Sequence, residues 1–207
     1  MLTKSTIAVF LTVVVTSVRA GVDLTPSVTE YVAEGMKFQQ LAFKDDKRQV
    51  EYEPPRGWNF DGSPNQLHLK PTGKNFAEAF ITVAPLAKPQ PLDDNAVKAI
   101  EQQVIAALPA GSQFATVEEE IANPVLLAGN ASYEVTVSYQ TIGEKFFRSE
   151  LFVNLRDTQL VFRLTARKDD FQALHREFKG SIFSWHWVGS DPEQPEIAKA
   201  VAPGSVQ

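Results

Sequence analysis

The sequence predicts an α/β (α+β) domain in which an antiparallel sheet is covered by helices, stacked as a three-layer α/β/α sandwich. Three observations predict it. Segments of alternating apolar residues follow one another across short turns, a stretch with helical spacing interrupts them once, and a second helical stripe closes the pattern. One strand-like run is apolar at almost every position, which suits a strand buried on both faces.

The chain begins with Lys4, an apolar run over residues 7–18 and the small-x-small sequence Val18-Arg19-Ala20. This pattern is that of a secretory signal peptide, residues 1–20, cleaved after Ala20. Its apolar run of about a dozen residues is shorter than the roughly 20 needed for a membrane-spanning helix. Residues 21–35 have mixed polarity without a clear period and are expected to form a short helix or an N-terminal arm.

The domain proper is expected over residues 36–188. A first strand pair covers residues 37–43 and 48–53 around the turn residues Asp45-Asp46, with Val50 and Tyr52 alternating against Gln49 and Glu51. Pro54-Pro55 ends the pair. After Trp58, a turn at Asp61-Gly62-Ser63-Pro64 leads to a short strand with Leu67 and Leu69 on one face. Residues 79–84, with Phe80, Ile81 and Val83, form the apolar run that predicts a central strand. A proline-rich connector then reaches Asp93-Asp94, suited to cap a helix whose stripe is Val97, Ile100, Val104 and Leu108. Pro109-Ala110-Gly111 stops it.

The second half alternates most clearly. Tyr133, Val135, Val137 and Tyr139 define one strand, Ile142-Gly143 a turn, Phe147, Leu151, Val153 and Leu155 the next strand, and Leu160, Phe162 and Leu164 a third, together an antiparallel meander. Asp169 and Gln172 have capping-box spacing and open a helix with the stripe Phe171, Leu174, Phe178 and Ile182. Residues 189–207 carry little apolar content and are expected to form a disordered tail.

This order of elements resembles the PsbP-like family, the small exported proteins that share the fold of the photosystem II extrinsic protein. The resemblance rests on Pro55-Arg56-Gly57-Trp58 after a strand, on a crossover helix before a three-strand meander, and on a terminal helix ending Phe178, Ile182-Phe183-Ser184-Trp185. It covers roughly residues 36–188. It implies a non-catalytic binding or assembly module, an analogy of fold that transfers no functional residue. Many bacterial members carry a lipid on cysteine, whereas this chain has no cysteine. The resemblance therefore implies a free, untethered relative.

Composition narrows the function classes. The 207-residue chain carries 20 basic and 25 acidic residues, a formal charge of −5. Removing Lys4 and Arg19 with the leader takes that to −7. A net acidic domain without a basic run argues against nucleic acid and anionic membrane surfaces. Absence of cysteine excludes disulfides, thiol nucleophiles and thiolate metal sites, and an exported cysteine-free chain fits a bacterial source.

The histidines His68, His175 and His186 are scattered without metal-ligand spacing, so neither metal nor cofactor is expected. No Gly-x-Ser-x-Gly elbow is present, and Thr72-Gly73-Lys74-Asn75 lacks the glycine and hydroxyl of a phosphate loop. The acidic run Glu118-Glu119-Glu120 reads as an exposed strand, and His175, beside Arg176 and Glu177, as part of a solvated helix face.

The reading is an exported, periplasmic or extracellular, non-catalytic module with a protein partner at the cell envelope, not an enzyme. The alternatives are a small hydrolase drawing on carboxylates with His68 or His175, and a carrier of a small apolar ligand. Arg56, Trp58 and Trp187 are the candidate partner surface, because aromatic residues beside a basic group suit protein interfaces. Of these, Trp58, like Trp185 outside the set, is expected in the core, and Trp187 exposed.

Overall fold

The computed structural model describes residues 21–45, 48–86, 88, 91–155 and 157–189. The expected leader and its cleavage site, and the tail beyond Gly189, lie outside these residues, as does Asp46 of the expected first turn. In chain order the elements are β1 (Val22–Ala33), β2 (Met36–Asp45), β3 (Arg48–Tyr52), β4 (Trp58–Ser63), β5 (Gln66–Pro71), β6 (Glu78–Pro85), α1 (Asp94–Ala106), β7 (Gln113–Ala122), β8 (Ser132–Thr141), β9 (Glu144–Asn154), β10 (Thr158–Arg167), α2 (Lys168–Ile182) and β11 (His186–Val188).

The strands form two antiparallel sheets where the sequence predicts one. The larger has the order β4-β5-β6-β10-β9-β8-β7 and the smaller β1-β2-β3-β11. Burial on β9 shows how they stack. Leu151 and Val153 belong to a core shared with Leu41, Phe43, Val50 and Tyr52 of the smaller sheet and with Leu174, Phe178 and Ile182 of α2. Phe152 between them points the other way, into a second cluster with Ile100 and Val104 of α1 and Val135 and Val137 of β8. Thus α1 covers one face of the larger sheet, while the smaller sheet and α2 share the opposite face. The expected helix layer on that side is half replaced by strands.

Residues 22–33, expected as an arm or short helix, are β1, paired with β2 from Val22↔Asp45 to Ala33↔Met36. Only Val22 and Leu24 of β1 are buried, so the strand carries no alternation for the eye to find. The two sheets touch where β4 passes β1. There Leu24 N–H donates to the Pro64 carbonyl at 3.0 Å, and a Cβ on Gly62 would stand 2.5 Å from the Leu24 oxygen and from Pro26 Cδ. Glycine is therefore required by close approach, and Asp61, Gly62 and Ser63 belong to β4, not to a turn.

Two other expectations are corrected. β6 is not buried on both faces: Ala79, Ile81 and Val83 are buried, whereas Phe80 and Thr82 are half-buried because the cluster under α1 takes its residues from β7, β8, β9 and β10 and not from β6. α1 begins as expected on Asp93, whose carboxylate accepts from the Asn95 and Ala96 amides. α2 forms no capping box; its first turn follows Arg167, which supplies no side-chain cap, and Asp169 and Asp170 lie inside that turn, where the helix dipole favours them. The meander β8-β9-β10 is found, antiparallel as expected.

Candidate functional site

The turn between β3 and β4 organises the site. Pro54 and Pro55 cannot donate to a ladder, so β3 stops at Tyr52 and the chain turns away. Trp58 N–H then closes a β-turn onto the Pro55 carbonyl at 3.2 Å, with Gly57 at φ 76°. The Thr72 hydroxyl and amide both donate to the Gly57 carbonyl, at 2.6 Å and 3.3 Å, and pin the turn to the end of β5.

The pinned turn sends the side chains of Arg56 and Trp58 to different places. Trp58 enters the core at 5% exposure, stacked on Phe178 with centroids 6.1 Å apart, and its indole N–H donates to Glu177 at 3.2 Å. The core expectation for Trp58 is met. Arg56 is held outward, its guanidinium 4.8 Å above the Phe38 ring and 3.2 Å from the Met36 sulfur.

Between this turn, β2 and the C-terminal half of α2 runs a groove of about 430 Å³. Lys37, Phe38 and Gln39 line one wall, residues 53–57 another, and Glu177, Gly180, Ser181 and Ser184 the third. The α2 wall is fastened to β3 by Tyr52 and Ser181, whose hydroxyls lie 2.8 Å apart, and by the Glu53 amide, which donates to Ser184 at 2.8 Å. Tyr31 stacks on Phe38 at 5.2 Å and donates its hydroxyl to Glu53 at 2.9 Å. That carboxylate pushes the Tyr31 phenol up.

The charges of the groove are not paired with one another. Glu30, Glu53 and Glu177 accept from neutral donors, namely Gln39, Tyr31 and Trp58. Neither Lys37 nor Arg56 has a carboxylate partner among the described residues.

Trp187, expected exposed, is half-buried. Its indole N–H donates to Asp45 at 2.7 Å, and Arg48 lies over its ring at 5.7 Å. It sits opposite Val50 in the β3 ladder, away from the turn. The structure therefore joins Arg56 and Trp58 at one turn, with only Arg56 presented, and separates Trp187 from both.

The expected solvated position of His175 is also corrected. His175 lies 2.6 Å from Glu134 of β8, which also accepts from Lys179 at 2.6 Å and from Ser149 at 2.7 Å. Glu134 is 3% exposed. Burial raises its carboxyl, but the bonds from His175, Lys179 and Ser149 outweigh that and hold it at about 2. Ser149 and His175 share one carboxylate oxygen, with the acid between them. A hydrolytic triad needs the imidazole in that middle position, so this serine has no base.

His68 stands 3.2 Å from Asp61 and 3.4 Å from Glu78 and stacks on Phe80 at 4.4 Å. No cluster of metal-ligating side chains is present among the described residues. The Glu134 clamp escapes sequence reading because a glutamate at an alternating strand position looks solvated until α2 is laid over it.

No protein-family profile matches the chain, and no curated protein matches it. Among solved structures, it is similar to cyanobacterial PsbP from Synechocystis, with 13% identity, coverage of 84% of this chain and 96% of that chain, and a TM-score of 0.50. It is also similar to a Pseudomonas aeruginosa protein of unknown function, with 17% identity, coverage of 75% and 93%, and a TM-score of 0.44. At 13% identity the likeness to cyanobacterial PsbP speaks for architecture alone, a PsbP-like α+β fold.

Proposed function

We propose that the protein is an exported, non-catalytic binding module whose partner is another protein at the cell envelope, and whose contact surface is the groove beside Arg56. The observation that carries this reading is the pinned β3–β4 turn, which displays an arginine without a carboxylate partner at the rim of an open groove. Two further features support it. The groove brings together charged and amide groups without a nucleophile beside a base, and Val28 and Val32 of the adjoining hairpin are exposed. Trp58 holds the turn from below, and Trp187 braces the far part of the smaller sheet.

A photo-crosslinking side chain at position 56, compared with one at Phe114 of β7, tests the surface in the native envelope. The expected result is a discrete adduct from position 56 and none from position 114. Equal adducts from both positions, or none from position 56, would remove the groove as the partner surface.

A further inference from the structure

The two open sheets end in β1, β11, β4 and β7. β11 is three residues long, β4 is six residues long and lies against β1, and β7 carries Glu118, Glu119, Glu120 and register shifts. Short strands, charges and bulges of this kind guard an edge against pairing. β1 has no such guard beyond Pro26. Up to that residue the β4–β5 turn closes the edge, through the Leu24 amide on the Pro64 carbonyl and the contact of Pro26 with Gly62. From Ser27 to Ala33 no strand lies beyond it among the described residues. The stretch Ser27-Val28-Thr29-Glu30-Tyr31-Val32-Ala33 holds no lysine, arginine or proline, and Val28 and Val32 are exposed along it.

The hairpin turn fixes which backbone groups face that edge. Glu34 and Gly35 have φ of 50° and 75°, as in a two-residue type I′ turn, so the flanking pair Ala33↔Met36 exchanges both of its hydrogen bonds. Bonded pairs recur at alternate positions, at Tyr31↔Phe38 and Thr29↔Gln40. Val28, Glu30 and Val32 therefore turn their N–H and C=O groups outward. The same alternation makes Leu41 outward-bonding on β2, and Leu41 is where β2 takes up β3.

The outward set is symmetric about Glu30. Pro26, without an N–H, bounds it on one side and the turn on the other. A second copy related by a two-fold axis at Glu30 presents the same set reversed, so that Val28 bonds Val32 of the second copy, Glu30 bonds its own equivalent, and every outward N–H meets a carbonyl. Sliding the copy by two residues puts Pro26 or Glu34 into the ladder and loses a pair, and sliding it by one sets opposite faces against each other. In the symmetric register the exposed valines cover each other on one face, and Thr29 meets Tyr31 on the other. Like charges meet at the axis, but Gln39 Nε2 donates to each Glu30 carboxylate at 3.3 Å and draws it back over its own hairpin.

We infer that the β1 edge takes a second copy of this chain, paired antiparallel over residues 27–33 about a two-fold axis at Glu30, which joins the two smaller sheets into one. The inference stands on the backbone of the β1 edge and does not rest on the groove being a partner surface.

The test uses the full mature chain. Mass from light scattering is expected to rise from monomer to dimer over a concentration series. Val32→Pro removes an N–H directed at the second copy and none directed at β2, so it should abolish the dimer while the urea midpoint of the dilute monomer stays unchanged. Glu30→Gln should tighten the dimer about two- to fivefold. Wild type mixed with Glu30→Lys should give heterodimer above its statistical share in native mass spectrometry, because opposite charges then meet at the axis. The chain has no cysteine, so engineered disulfides report the register. Thr29→Cys mixed with Tyr31→Cys should oxidise to the mixed disulfide well ahead of either homodisulfide, since the two positions oppose each other at a non-bonded pair with Cα atoms about 4.5 Å apart.

A monomeric mass at every concentration would overturn the inference. A folded Val32→Pro chain that still dimerises would place the contact elsewhere and overturn it too. A statistical share of heterodimer, or homodisulfides that form as fast as the mixed one, would reject the axis at Glu30. If Val32→Pro lowers the midpoint, the charge and disulfide mixtures decide by themselves. A photo-crosslinking side chain at position 29 that captures a different protein in the native envelope, and not this chain, would overturn the inference in favour of a foreign strand on the same edge.

Discussion

Replacing Glu134 by glutamine asks how firmly α2 is tied to the sheet. The side chain keeps its size but loses its charge, leaving Lys179 and His175 of α2 beside a neutral amide. In the native protein the carboxyl sits at about 2 against an ordinary value of 4.5. A folded value depressed by that much corresponds to roughly 3 kcal/mol of stability at neutral pH. The contribution is fully present above the unfolded value near 4.5 and is lost as pH falls through about 2.

Glu134→Gln should therefore lower the unfolding free energy by about 3 kcal/mol at pH 7, in line with removal of one partner from a buried pair. The gap between variant and wild type should shrink to less than half by about pH 3. Urea melts of both proteins at pH 7, 5, 4 and 3 measure it, with equal slopes confirming that both unfold alike. A gap below about 1 kcal/mol at pH 7, or one that does not narrow towards pH 3, would refute the account of Glu134 as a charge-holding clamp.

Two further outcomes follow from packing. Trp58→Ala removes a buried indole from its stack on Phe178 and should cost on the order of 3 to 5 kcal/mol in a urea melt, whereas an unchanged midpoint would show that the indole is not a core group. Gly62→Ala places a methyl 2.5 Å from the Leu24 carbonyl and Pro26. It should destabilise by about 1 to 3 kcal/mol and speed hydrogen exchange at Leu24 N–H, and wild-type exchange there would deny that the sheets meet at this point.

The sequence by itself determined the parts whose residues bury one face against a neighbour close in the chain. β8, β9 and β10 alternate because each lies in a meander joined by short turns, so Tyr133 to Leu164 display their partners locally. α1 shows the same economy, with Asp93 to cap it and Ile100 and Val104 to seat it. The Pro55-Arg56-Gly57-Trp58 turn was legible for a similar reason: proline and glycine announce backbone constraints independent of surroundings. Trp58 could be placed in the core because a large apolar group at a strand start has little reason to stay in water.

Tertiary structure alone decided the second sheet, the groove and the Glu134 clamp. β1 lies at an edge with most side chains in solvent, so it lacks the alternation that marks a half-buried strand, and its partner β2 reveals it only when the chain folds back. The groove depends on β3 ending where β2 continues and on Ser181 and Ser184 of the last helix arriving beside Tyr52 and Glu53. Those residues lie 129 and 131 positions apart. His175 and Glu134, 41 residues apart, each look solvated within their own elements. Their pairing arises only because α2 lies across the polar side of β8, where burial makes an unpartnered carboxylate too costly to leave.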